Sequence, residues 1–112
     1  MQVTDAVARD ILRIHKEAYG RGAKAAHAAV IGDFVIAVLD GLELLPNEEF
    51  MVENGQREAV AEIRSRYQIA IQAPFSAAVE RATGRRVIGF QSTTSVDEPA
   101  FMCEVFRLEP KR

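Results

Sequence analysis

With a single cysteine, Cys103, the chain can close no internal disulfide, which fits a reducing compartment. It has no tryptophan and only two histidines, His15 and His27. Those histidines and Cys103 share no spacing of the CxxC or HExxH kind, so neither a metal site nor a cofactor is expected. The net charge is only −2 and the basic residues are scattered, which excludes the electrostatic footprint of a nucleic-acid binder. No stretch approaches the roughly 20 apolar residues that span a bilayer, so direct membrane insertion is not expected. The opening "MQVTDAVARDIL" carries acids where a signal peptide needs a positive start, and its apolar residues are periodic. A cytoplasmic protein with one domain over residues 1–112 is the expectation.

What is present is patterned. Hydrophobic residues make up 48% of the chain, enough for a packed core without a staple. Over residues 3–19, Val7, Ile11, Ile14 and Ala18 recur at helical spacing, with Thr4 placed to cap. In "AHAAVIGDFVIAVLD" two apolar runs flank Gly32-Asp33, a pair suited to a type II′ hairpin, although the alanine-rich first run is also compatible with a helix. Residues 34–39 are apolar on both alternating faces, the pattern of a strand covered by helices on one side and another subunit on the other. "PNEEFMVEN" reads as a short helix closed by Gly55. From Gln56 to Thr83 one apolar stripe (Val60, Ile63, Tyr67, Ile71, Phe75, Val79, Ala82) predicts a long helix kinked at Pro74. "RVIGFQST" and "FMCEVFRL" predict a second hairpin.

The fold class expected is α+β, in the order α-β-β-α-α-β-β. Its two hairpins form one antiparallel sheet, with the helices packed on a face. Unpaired edges and the apolar second strand predict a homodimer, with the long kinked helix at the interface.

Candidate sites are few. "AYGRG" and "RATGRR" place Gly-Arg at each helix-to-strand junction, by duplication or by two independent caps. A phosphate loop runs from strand through glycines into a helix, whereas these glycines follow a helix, so Gly20, Gly22, Gly55 and Gly84 read as structural caps and turns. The weaker alternative is an anion held by Arg21 with Arg85 or Arg86, if the junctions meet in space. His15 sits on the border of the first apolar arc, as a core-edge residue or a titrating one. Cys103 lies in an apolar strand with no activating base near it in sequence, which favours an inert thiol. The glutamates at 48, 49, 53, 58 and 62 read as solvated helix faces. No catalytic residues are assigned and an enzyme is not expected.

Two blocks, "ILRIHKEAYGRGAKAAHAAVIGDFVIAVL" and "FSAAVERATGRRVIGFQSTTSVDEPAFMCEVFRLEP", resemble the bacterial MpsC-like domain family, formerly a domain of unknown function. "YGRG", "TGRRV" and the closing "EVFRLEP", in that order, are its most specific pieces. Pro74 departs from the family's uninterrupted charged helix, and "LELLPNEEF" is more apolar than expected. The resemblance implies a small soluble domain tied to a membrane ion or bicarbonate-related system. It implies no active site. On this basis the chain is expected to be a regulatory or protein-interaction module with a membrane-associated protein partner. The alternative is a small-anion or metabolite sensor using the junction arginines.

Overall fold

The first helix forms because Val7, Ile11 and Ile14 fall on one side of a 3.6-residue period, with Asp5 in its first turn and Lys16 in its last, each favourable to the helix dipole. In the computed structural model, which describes residues 2–111, this helix is α1, Val3–Tyr19. Gln2 occupies the N-cap, and Thr4 lies inside the helix, two residues beyond the cap position expected of it. Gly20 ends the helix at φ 77°, a left-handed conformation that any Cβ would strain, and its amide donates to the Lys16 carbonyl at 2.8 Å.

Two strands follow, β1 (Ala23–Ile31) and β2 (Phe34–Leu42), so the alanine-rich run is a strand. Their turn has Gly32 at φ 57° and no positive φ at Asp33, as a type II′ turn requires. Helix α2 (Pro46–Glu53) starts on Pro46, and Asn54 is its C-cap with Gly55 one residue beyond.

The predicted kinked helix is two helices, α3 (Arg57–Ala70) and α4 (Gln72–Thr83), which meet at Ile71. The break comes before Pro74 and because of it. The proline sits in the first turn of α4, where its missing N–H costs nothing, and the carbonyl it would crowd belongs to Ala70, the last residue of α3. Gly84 caps α4 at φ 70°, mirroring Gly20. Strands β3 (Val87–Ser95) and β4 (Phe101–Leu108) complete the chain, giving the order α-β-β-α-α-α-β-β.

All four strands form one antiparallel sheet in the order β1-β2-β4-β3, so the two hairpins join through β2 and β4. Val35, Ala37 and Leu39 of β2 pair with Phe106, Glu104 and Met102 of β4 on one face. That face buries Val7, Ile11 and Ile14 of α1 and Phe75, Ala78 and Val79 of α4 in a single core. A smaller cluster of Leu44, Val60 and Val96 lies under α2 and α3.

The stripe predicted for α3 is rotated. Its buried residues are Val60, Arg64 and Gln68, while Ile63 and Tyr67 are 58% and 42% exposed. Two polar side chains have taken the inward positions because partners await them there.

The glycine caps make a direct prediction. A Cβ at Gly84 would meet nothing within 4 Å, so Gly84→Ala adds only backbone strain. Denaturant unfolding is expected to show a loss of about 1–2 kcal/mol with an unchanged m-value.

Candidate functional site

A charged group buried at the centre of a small domain must find a counter-charge and hydrogen bonds, or it unfolds its surroundings. Arg64 is such a group, 1% exposed. The α3 register that turns Val60 inward carries Arg64 with it, one turn later, and Gln68 follows after another. Its Nε donates to Glu48 Oε2 and its second terminal nitrogen to Glu48 Oε1, both at 2.7 Å, a side-on two-bond pair. The guanidinium carbon also lies 4.3 Å from the centroid of the Tyr19 ring.

Glu48 reaches Arg64 from the first turn of α2, where the same carboxylate accepts the Leu45 amide at 2.8 Å. Burial alone would raise its pKa, but the Arg64 bonds and the Leu45 amide hold it below the usual carboxylate range.

A second polar chain continues inward. The Tyr19 hydroxyl donates to Gln68 Oε1 at 2.9 Å, and Gln68 Nε2 donates to Glu104 Oε2. Glu104 is wholly buried on the core face of β4, between Met102 and Phe106. Burial pushes its pKa up to about 7, against the Gln68 bond, which lowers it. His15 stacks on Tyr19 with ring centroids 4.5 Å apart and is also wholly buried. Burial, then the Arg64 charge, push its pKa down to about 4, so the imidazole is neutral near pH 7. Burial raises the Tyr19 pKa as well. Both ring nitrogens of His15, the remaining terminal nitrogen of Arg64 and Oε1 of Glu104 have no hydrogen-bond partner among the described residues.

A cleft of about 260 Å³ opens beside this cluster. Tyr19, Glu48, Arg64 and Tyr67 give it a polar end, and Leu45, Met51, Val60 and Ile63 an apolar wall.

The residues singled out from sequence lie elsewhere, apart from His15. Arg21 donates to the Leu44 carbonyl at 3.0 Å, at the end of the sheet where Ala23 pairs with Leu42. Arg85 donates to Asp33 at 2.6 Å and to the Glu109 carbonyl at 2.7 Å, at the opposite end. The length of β1, roughly 26 Å at 3.3 Å per residue, separates the two junctions, so the structure does not bring Arg21 and Arg85 together. Arg86 flanks Arg85 and is exposed. His15 is deeper than the core-edge position expected, with no hydrogen bond to either nitrogen. Glu48 is no solvated face: its side chain is 12% exposed. Gly22 and Gly55 line turns, the latter at φ 81°. Cys103 lies on the sheet face away from His15, its pKa raised by burial and by Glu104. Tyr19, Arg64, Gln68 and Glu104 were missed. The parity of "FMCEVF", which aligns Glu104 with Met102 and Phe106, was the available signal.

The face of the sheet turned away from the helices forms four rows across the strands. They are Ala25, Asp40, Phe101 and Ser95; His27, Val38, Cys103 and Thr93; Ala29, Ile36, Val105 and Gln91; and Ile31, Phe34 and Arg107. No helix covers it. Phe101 is 43% and Ile31 60% exposed, and Arg107 lies over the Phe34 ring at 4.8 Å.

The opposed shifts of Glu104 and His15 set a pH dependence. Glu104 binds its proton more tightly folded than unfolded, so its contribution is present below its ordinary 4.5 and lost as pH rises through about 7. His15 binds its proton less tightly when folded, so stability falls as pH drops from 6.5 towards about 4. The two slopes oppose each other in the overlap. Glu104→Gln is expected to remove the Glu104 slope, worth up to about 3 kcal/mol, leaving stability that rises with pH between 5 and 7. Urea unfolding at stepped pH checks this, and identical wild-type and variant profiles would refute it.

Neither the curated proteins nor the solved structures contain a match to this chain. Residues 1–109 match the model of the family described as the Na+-translocating membrane potential-generating system (MpsC), and the chain belongs to that family.

Proposed function

We propose that this chain is a non-enzymatic, cytoplasmic interaction module that pairs with a second copy of itself through the open sheet face and, so paired, serves a membrane ion system as an accessory. The observation that carries this reading is the uncovered face itself. Phe34, Ile36, Val38, Phe101 and Val105 lie side by side on β2 and β4, the two central strands. A contiguous apolar patch of this kind on a small domain marks a contact surface. The strands measure about 26 Å and four of them about 19 Å across, or roughly 500 Å² per copy. Two copies therefore bury about 1,000 Å², the threshold of a specific interface.

The charges on the face suit a second copy. Asp40 stands at one end of β2, and Arg107 lies over Phe34 at the other. A two-fold axis in the plane between the sheets and perpendicular to the strands sets β2 over β2 in reverse. Asp40 then meets the partner's Arg107, twice, and the apolar rows stack between them. On this reading the interface lies on the sheet rather than on α3 and α4, which pack on the sheet's other side.

The membrane association rests on the family description, which names an Na+-translocating, potential-generating system. No helix among the described residues is long and apolar enough to cross a membrane, so a part in ion movement runs through a partner.

Sedimentation equilibrium is expected to show a dimer, with Val38→Lys monomeric. Asp40→Arg weakens the dimer, and adding Arg107→Asp restores it. A short bismaleimide joins two copies through Cys103 in the wild type and not in Val38→Lys. In cells lacking the gene, the wild-type chain restores membrane potential at limiting Na+ and Val38→Lys does not. A wild-type monomer, or full restoration by a monomeric variant, would overturn this reading.

A further inference from the structure

We propose that Arg64 is a binding site for a small organic carboxylate with an apolar body, and that Glu48 is the built-in competitor that fills it when no ligand is bound. A buried arginine cannot shed its proton, so its site always demands an anion. Here the anion comes from α2, a helix of eight residues that buries none of them. Met51 and Val52 lean partly on Leu44, Val60 and Val96, and the two bonds of Glu48 to Arg64 supply its specific attachment. A buried ion pair is seldom a net gain in stability over apolar packing, so stability alone is a weak reason for this one.

Two features beside the pair point to a ligand. The third nitrogen of Arg64 is buried without a hydrogen-bond partner among the described residues. The cleft of about 260 Å³ borders both Arg64 and Glu48 and continues along Leu45, Met51, Val60 and Ile63. An incoming carboxylate fits the Nε edge of the guanidinium, where Glu48 now sits, while its hydrocarbon part lies on that wall. That edge holds one carboxylate at a time in a two-bond pair, and both of its nitrogens are now taken by Glu48. The incoming carboxylate must replace Glu48, and α2 then loses its attachment. Binding and release of α2 are one event.

Titration of the 15N-labelled full chain with sodium butyrate and sodium benzoate tests this, with sodium chloride at equal ionic strength as the control. Both carboxylates are expected to shift the Arg64 Nε–H resonance and the α2 amides saturably, and chloride to leave them in place. Glu48→Ala removes the competitor and binds about tenfold tighter or better. If Glu48→Ala is poorly folded, butyrate raises its melting temperature while chloride does not, and Glu48→Gln, which keeps the Leu45 contact, supplies the same affinity comparison. Glu48→Ala with Arg64→Met loses the response. The proposal is overturned if carboxylates act no differently from chloride, if removing Glu48 leaves affinity unchanged, or if the Arg64→Met form responds equally. None of these readouts depends on dimerisation through the opposite face of the sheet.

Discussion

The helical side of this protein is organised around one permanent positive charge that is almost wholly buried. Arg64 needs Glu48 for charge and Tyr19 for a polarisable surface. Tyr19 in turn is fixed by Gln68, and Gln68 by Glu104. Each link joins a different element: α2 to α3, α3 to α1, α3 to β4. The main apolar core holds α1 and α4 to the sheet, while α2 and α3 are held by this chain of polar contacts together with the small cluster of Leu44, Val60 and Val96.

The sheet divides the molecule into two unlike surfaces. Its inner face carries the core, the buried histidine and a glutamic acid that burial keeps protonated into the neutral range. Its outer face is apolar at the centre, with an acid at one end and a base at the other. Because β2 and β4 lie at the middle of the sheet, alternate residues of the same strands serve both surfaces. Cys103 and Glu104 are adjacent in sequence yet face opposite ways. A change in one strand's register would exchange the two surfaces.

Most of the architecture was legible because it follows from period and punctuation. The continuous apolar run of β2, the helical stripe of α1 and the glycine caps at 20 and 84 each have a local physical cause that the residues display. The division of α3 from α4 was half legible: Pro74 signalled an interruption, but a proline is most easily accommodated in a first turn, so the helix ended before it. The polar cluster was hidden by the same periodicity that revealed the helices. Ile63 and Tyr67 continue an apolar stripe, and only the distant Glu48 and Glu104 make it worthwhile for Arg64 and Gln68 to turn inward. Such pairings depend on residues far apart in the chain. The anion site imagined at the Gly-Arg junctions failed on distance, since the strands hold those junctions at opposite ends.

The strand order carries a consequence for how the chain comes to be folded at all. β4, which follows β1, β2 and β3 in the chain, lies between β2 and β3 and supplies Met102, Phe106 and Leu108 to the core. Each hairpin is local, but the join between them spans α2, α3, α4 and β3, and such long-range closure is slow. A chain in which β4 has not yet joined the sheet therefore presents the apolar strand β2 to solvent on the side where β4 belongs. Until that pairing forms, the open edge of β2 is the place where a wrong strand can dock.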